Sequence, residues 1–478
     1  MNIYSIYLNK YANLVPMKIS LFSLVVLMIA AIDNMRNLPA AALFGSSLIF
    51  FSVLAAVLFL IPTALISAEL SSAYPERGGI YHWVSQSFGK KMGMAAIWLQ
   101  WINTMVWYPS MLSFIAGTFA YLINPDLAQN KPYLISFILV VFWTMTWLNL
   151  KGIHVSTVIN SICCIIGTML PLVMLTVLGG VWIYLGNPIK INLSWSELIP
   201  PLDKGASYVS LIAIMASFLG MELSGVHVND IKNPKRNFPK AALLATFFIF
   251  LSMTLGSLSI ALVISPDEMQ LIAGVMQVFS RFFEVFGLSA YIPYLTALIV
   301  IGSIGTLINW LISPAKGLLH AAEFGFLPPI LAKKNANGVP ANILILQAVL
   351  VSVFCLIFLL EPNINGFYWF LTALSTELYM MMYVLMFLSG IRHRYKNQAE
   401  GAFKIPGGMI GMVTVALLGL IGSISTIIVS FLPPENISIG SPMLYFTMIS
   451  VGNVLALSPL IFFFLYEKRN RTDVLSQV

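Results

Sequence analysis

The sequence predicts an all-α polytopic membrane protein of twelve spans, in which two five-span units form an inverted repeat and two further helices follow. Three observations predict it. Of 478 residues, 59% are hydrophobic and only 9% charged, with a mean hydropathy of +0.89, whereas roughly a quarter of a soluble globule's residues are charged. The apolar residues fall in runs long enough, at about 1.5 Å per helical residue, to cross roughly 30 Å of hydrocarbon. The first and sixth of those runs are each interrupted midway by an ionisable residue together with proline or glycine.

The spans are expected at about 17–45, 47–68, 93–122, 132–151, 155–183, 208–229, 239–264, 290–315, 340–360, 367–390, 408–431 and 442–466. They make one transmembrane domain over 1–478, with a first repeat at about 17–183, a second at about 208–390 and two extra helices at about 408–466. With twelve spans both termini share a side. Of the 25 Lys and Arg, 20 fall on that side, Lys131, Lys190, Lys204 and Arg281 fall on the other, and Arg36 lies inside a span. The bias makes the basic side cytoplasmic, at the inner (plasma) membrane. The net charge of +7 is therefore a topology signal, and no nucleic-acid partner is expected. Cys163, Cys164 and Cys355 sit in apolar runs and read as buried small hydrophobes. No small-residue cleavage site precedes the first span, so a cleaved leader is not expected.

Span 1 carries Ile32-Asp33-Asn34-Met35-Arg36-Asn37-Leu38-Pro39. An ionised side chain at mid-membrane costs several kcal/mol, so it faces a protein interior or a water-filled route. Two arrangements are open. Asp33 and Arg36 pair at i,i+3 in a continuous kinked helix, or the segment opens and lines a cavity. Pro39, which has no amide proton and restricts Leu38, favours a break.

After span 2, with Pro62 and Glu69, the stretch from Ala68 to Val84 is dense in Gly, Pro and charge and then turns aromatic. It reads as a lid tucked back toward the helices or as an ordinary hydrated connection. Span 3 carries Trp98, Trp101, Trp107 and Tyr108 before Pro109. The early tryptophans suit the headgroup level, and Trp107 and Tyr108 lie deep enough to line a cavity or pack. His154, without an acidic neighbour, reads as a surface residue. Span 6 is interrupted by Gly220, Glu222, Ser224 and Gly225.

Spans 1 and 6 stand five apart. A five-span unit begins on opposite faces in its two copies, so the broken helices enter from opposite sides and meet near the midplane, where free amides and helix ends can hold a carboxylate or an amine. Pro266 to Phe286 alternates apolar and charged groups and suits an amphipathic helix over the outer vestibule. Span 8 holds Gly302, Ser303 and Gly305 for close packing, with Trp310 and Pro314 near its inner end. Span 10 holds Glu377, Tyr379 and Tyr383. Three membrane acids, Asp33, Glu222 and Glu377, face one base, Arg36, so at least one acid is protonated, hydrated or in contact with a ligand amine.

The ordered stretches Ala68-Glu69-Leu70 with Gly78-Gly79 before Trp83-Val84, Gly220-Met221-Glu222, His227-Val228-Asn229 with Asn233-Pro234, and Ala273-Gly274-Val275-Met276-Gln277 cover the first two thirds of the chain. Asn337-Gly338-Val339-Pro340, Phe403-Lys404-Ile405-Pro406-Gly407-Gly408 and Ser430-Phe431-Leu432-Pro433-Pro434 follow. Together they resemble the amino acid, polyamine and organocation transporter superfamily, most closely its glutamate:gamma-aminobutyrate antiporters. The resemblance implies a LeuT-like fold, alternating access, and spans 1, 3, 6, 8 and 10 around the substrate. The candidate substrate residues on those spans are Ile32, Asp33, Asn34, Arg36, Trp107, Gly220, Glu222, Trp310, Glu377 and Tyr379, and the candidate proton-coupling residues are Glu222, Asp33 and Glu377. Glu222 matches the acid of the antiporter branch, whereas Asp33, Arg36 and Glu377 depart from the family pattern. The short C-terminal stretch leaves little material for the inner plug of related antiporters.

The implied mechanism is exchange or uptake of a small amino acid. Amides near Ile32 to Asn34 and Gly220 take its carboxylate, Glu222 or Asp33 approaches the amine or a proton, and Arg36 either receives a second carboxylate or neutralises Glu377. Proton-coupled symport is the nearest alternative. A non-transporting amino acid sensor is a different class, and it would be expected to carry a signalling extension. No metal cluster, nucleotide loop or nucleophile triad points to an enzyme or a cofactor. The expected partners are a small amino acid, protons and the lipid bilayer, for a monomer or homodimer.

Overall fold

Apolar runs in lipid must satisfy their backbone groups internally, which makes helices of them. The computed structural model, described over residues 19–74, 79–152, 162–199, 209–360, 363–396, 403–434, 437 and 439–475, is helical accordingly. Among the described residues the one extended pairing is an isolated bridge between Ile19 and Ile231. Nine helices among them are long and apolar enough to cross a membrane. Three more candidates do not meet that measure: a long helix with many polar residues, an interrupted one and a shorter apolar one.

In chain order, α1 (Leu21–Ile32) and α2 (Leu38–Ala42) are the halves of the first run, and α3 (Ser47–Ala73) returns across the bundle. After α4 (Gly79–Phe88) and the long α5 (Lys90–Ala120) come α6 (Lys131–Leu150) and α7 (Ile162–Tyr184). The sixth run begins as α8 (Ser210–Ala216), followed by α9 (Pro234–Val263), α10 (Gly274–Val285) and α11 (Ile292–Glu323). Last come α12 (Ala341–Leu360), α13 (Ile364–Lys396), α14 (Gly408–Val429) and α15 (Pro442–Leu475). Residues 75–78 of the expected lid, and His154, lie outside the described residues.

Both expected interruptions are present. Asp33 and Asn34 are extended, with ψ of 111° and 112°, and a short 3-10 turn at Met35–Asn37 leads into α2, with Pro39 in its first turn. Asp33 and Arg36 therefore do not pair in a continuous helix. The sixth run stops at Ala216, passes Gly220 at φ +119°, and resumes as a 3-10 helix over Met221–Asp230.

Proline and glycine set the close contacts. Pro62, having no amide proton, cannot donate to the Leu58 carbonyl, which lies in a stretch of π-helix over Ala56–Leu60. That carbonyl lies 2.7 Å from where a Cβ on Gly422 would stand, so only glycine lets α14 approach. Gly167 and Gly302 meet backbone to backbone, each 2.4 Å from the other's Cβ position, which locks α7 onto α11 as small-residue packing requires. The amphipathic helix is α10. Its apolar face is buried, and Gly274 sits over Pro39 of α2, 2.9 Å from a would-be Cβ. Trp98 and Trp101 are buried inside the protein. Their indoles donate to the Ala456 carbonyl at 2.8 Å and to Gln347 Oε1 at 2.7 Å, because burying an indole N–H requires an acceptor.

At one end of the bundle, Glu69 of α3 forms an ion pair with Arg394 of α13 and accepts from the Ile405 amide at 2.7 Å, while Ser72 bonds the Phe403 carbonyl at 3.2 Å. Trp83 of α4 is buried against Gly225. The end of α3 and the following helix α4 thus pack back onto the bundle.

Candidate functional site

The two interruptions face each other. Asn37 Nδ2 donates to the Ala216 carbonyl at 2.9 Å, which caps the end of α8 with a side chain from the first break. A Cβ on Gly220 would lie 3.1 Å from the Ala31 carbonyl and 3.3 Å from Trp310, so glycine's lack of a side chain sets how near the breaks come. Between them is a small chamber. Its walls are Ala31, Ile32, Asn34, Arg36 and Asn37 from the first break, Asn103 and Trp107 from α5, Ala216 and Leu219 from the second break, Trp310 from α11, and Ser375, Thr376 and Tyr379 from α13.

Local sequence explains how the wall is held. Pro314 cannot donate to the Trp310 carbonyl, and that carbonyl accepts from the Tyr108 hydroxyl at 2.8 Å instead. The Trp310 indole donates to the Ala31 carbonyl at 3.3 Å and stacks on Trp107, with ring centroids 5.1 Å apart. Tyr108 itself is fully buried and packs, while its neighbour Trp107 faces the chamber.

Arg36 is the ionised residue of the chamber wall. Only 2% exposed, its guanidinium lies between the rings of Trp107 and Tyr368, at 5.7 and 5.8 Å from their centroids. It donates to Ser110 Oγ at 2.6 Å and more distantly to Thr372 at 3.5 Å, while its Nε has no acceptor. Among the described residues no carboxylate pairs with it. Its backbone is fixed from both sides, the amide donating to Asn34 Oδ1 at 3.0 Å and the carbonyl accepting from Tyr368 Oη at 2.9 Å.

The three buried acids stand outside the chamber wall. Asp33 turns to α9, where Ser252 donates to Oδ2 at 2.8 Å, and its Oδ1 has no partner. Glu222 is behind Tyr379: both Tyr379 and Tyr383 donate to its carboxylate, with Gln100 Nε2 donating at 3.0 Å. Tyr383 in turn accepts from the Gly220 amide at 2.9 Å, so the acid is tied to the second break. Glu377 is fully buried on another side of α13. The expected neutralisation of Glu377 by Arg36 is absent, since Arg36 is bonded to Ser110 and Thr372.

Six of the sequence candidates, Ile32, Asn34, Arg36, Trp107, Trp310 and Tyr379, thus meet in one wall, while Asp33, Gly220, Glu222 and Glu377 are set back from it. Asn37 and Tyr383, noted in the sequence but not among the candidates, and residues not singled out beforehand complete the site: Gln100, Asn103, Ser110, Tyr368, Thr372, Ser375 and Thr376. A signal for several of them was present. Tyr368, Thr372, Thr376, Tyr379 and Tyr383 recur at three- and four-residue spacing, a polar stripe along an otherwise apolar helix.

Comparison with known proteins shows the family. The model of the amino acid permease family matches residues 19–453. A protein of Legionella pneumophila named as an uncharacterized transporter is 38% identical over 91% of this chain and 94% of its own length. A glutamate/gamma-aminobutyrate antiporter of Lactococcus lactis is 29% identical over 96% of this chain and 92% of its own. A probable agmatine/putrescine antiporter of the same species is 22% identical over 82% and 83%.

Proposed function

We propose, for a chain that belongs to the amino acid permease family and is a membrane transporter rather than an enzyme, that it exchanges amino acids by alternating access and that its preferred substrate carries a second carboxylate, as glutamate does. The observation that carries the substrate choice is Arg36, a buried guanidinium in the chamber wall with no carboxylate partner among the described residues. A lone buried charge costs several kcal/mol, and a second carboxylate arriving from the substrate would supply the missing partner. The backbone of the two breaks would hold the α-carboxylate, and the stacked faces of Trp107 and Trp310 would lie along the amine or the aliphatic stem.

In this reading the chain has twelve spans in a LeuT-like arrangement. The long α5, the interrupted sixth run and α12 are the spans beyond the nine counted by length and hydropathy. The breaks, five spans apart, are the halves of an inverted repeat, and both termini are cytoplasmic, as the 20 basic residues on that side favour. Glu222 would act through Tyr379 and Tyr383, linking the chamber wall to the second break rather than touching substrate. Antiport is favoured by the likeness to the Lactococcus antiporters.

Purified protein in liposomes tests both parts. Counterflow of labelled glutamate should require substrate inside and should exceed that of neutral or cationic amino acids. Selective flux of cationic amino acids would overturn the substrate assignment. Uptake into empty liposomes driven by a proton gradient would replace antiport with symport.

A further inference from the structure

Of the side chains in the chamber wall, two hold a buried polar atom without a hydrogen-bond partner, and they are neighbours in sequence: Arg36 Nε, a donor, and Asn37 Oδ1, an acceptor. An amino acid brings the complement of each, a carboxylate that only accepts and an ammonium that only donates. Arg36 has been given the carboxylate. The acceptor beside it has no task yet.

An amine entering the chamber needs such an acceptor, because among the described residues no acid lines the wall: Asp33, Glu222 and Glu377 are all set back from it. Other oxygens near the breaks are already met. The Ala31 carbonyl accepts from the Trp310 indole at 3.3 Å, and Asn34 Oδ1 accepts from the Arg36 amide at 3.0 Å. The Tyr379 hydroxyl donates to Glu222, and the hydroxyls of Ser375 and Thr376 donate to the Thr372 carbonyl at 3.2 and 2.6 Å.

Asn37 is held so that its oxygen stays over. It ends the 3-10 turn Met35–Asn37 and is 4% exposed. Its Nδ2 donates to the Ala216 carbonyl at 2.9 Å, across the gap between the two breaks. A carbonyl can only accept, so that bond decides which way round the amide lies, with its nitrogen toward the end of α8 and its oxygen directed elsewhere. Successive residues of a 3-10 turn project about 120° apart. Arg36 therefore reaches Ser110 and Thr372 while Asn37 reaches Ala216, and the two unmet atoms serve different sides of one chamber.

Building on the substrate reading above, we propose that Asn37 Oδ1 is the amine subsite of the chamber and accepts an N–H from the substrate's ammonium. A neutral acceptor suits this place. A carboxylate at residue 37 would stand beside Arg36 and compete with the substrate's second carboxylate for the guanidinium, whereas an amide oxygen takes the ammonium and leaves the guanidinium free. The same amide joins ligand to frame. A charged donor on Oδ1 polarises the amide and strengthens its Nδ2 bond to Ala216, so an amine draws the two breaks together and a substrate without one does not.

The test compares glutamate with glutarate, which is glutamate without its amine, by tryptophan fluorescence of the full chain in detergent. The unsubstituted protein should bind glutamate at least about tenfold more tightly, the effect of one hydrogen bond to a charged group. Asn37→Ala should bring the two ligands to within about threefold of each other, through lost glutamate affinity with glutarate little changed. Asn37→Asp keeps an accepting oxygen whether or not it carries a proton, so it should retain the preference, and any pairing of the new group with Arg36 weakens both ligands alike. A merely structural role for Asn37 would also weaken both alike in Asn37→Ala, and a preference unchanged there overturns the proposal. Equal binding of the two ligands by the unsubstituted protein overturns it too, as does a preference that Asn37→Asp loses. Should Asn37→Ala fail to accumulate, Asn37→Asp decides alone. A chamber that binds no glutamate at all would count against the second-carboxylate reading and not against this subsite, since alanine against propionate then puts the same question to Asn37.

Discussion

Arg36→Gln isolates the charge on which the proposed substrate selection rests. Glutamine keeps a donor within reach of Ser110 and leaves the backbone bonds of residue 36 to Asn34 and Tyr368 in place. The fold therefore loses no charged partner, and removal of an unpaired buried cation should leave the melting temperature unchanged or higher. What is lost is a charge-assisted contact to the substrate's second carboxylate. Such bonds contribute about 1.5–3 kcal/mol each. At 1.4 kcal/mol per factor of ten, glutamate should bind roughly 10–150-fold more weakly. A neutral amino acid, which does not need that contact, should change by less than about threefold, the scale of an ordinary surface substitution of about 0.5 kcal/mol. The assay is a titration followed by the fluorescence of Trp107 and Trp310, which both line the chamber, repeated as counterflow in liposomes. Equal weakening for glutamate and alanine, or unchanged glutamate binding in a folded variant, would refute the reasoning.

Two further perturbations address the frame around the chamber. Glu222→Gln places an amide donor against two tyrosine donors and Gln100, of which only one face can be met. The mismatch costs about 1–3 kcal/mol, so exchange in liposomes should slow by roughly 5–150-fold with substrate binding less affected, and an unchanged rate would remove Glu222 from the cycle. Gly220→Ala forces a Cβ onto a residue at φ +119° and to 3.1 Å from the Ala31 carbonyl. With about 1–3 kcal/mol of backbone strain, the variant should insert but lose counterflow, and full activity would show that the breaks need not approach so closely.

Much of this was legible beforehand because the membrane makes a few rules strict. Long apolar runs had to be helices, and Asp33 with Pro39, or Gly220 with Glu222, had to interrupt them. Those local signals located both breaks. The tertiary partners were not legible in the same way, since they depend on which side of a helix meets which neighbour. Asp33 lies one residue from Ile32 and Asn34, yet extended backbone turns adjacent side chains apart, so the neighbours face the chamber while Asp33 reaches Ser252 of α9. Trp98 and Trp101 suited the headgroup level on residue type, and their burial shows that such an amphipathic ring also suits a core that offers its N–H an acceptor. The stripe from Tyr368 to Tyr383 was readable at helical spacing, yet only its Tyr379 became a candidate, because hydroxyls signal less than charges in a membrane run.

Burial alone does not sort the ionisable groups, for Asp33, Arg36, Glu222 and Glu377 are all 2% exposed or less. The atoms each one meets do the sorting. Glu222 meets three donors, both Glu377 oxygens are without a hydrogen-bond partner, and Asp33 meets one hydroxyl and keeps an oxygen free. Arg36 meets two hydroxyls and two ring faces and keeps its Nε free toward no acid. A chamber whose wall carries one incomplete cation, with its carboxylates satisfied or turned elsewhere, has an electrostatic vacancy of one sign. Under the proposed function an anionic group would fill it, and a cationic substrate would add a second positive charge beside the first, at a cost that no residue of the wall offsets.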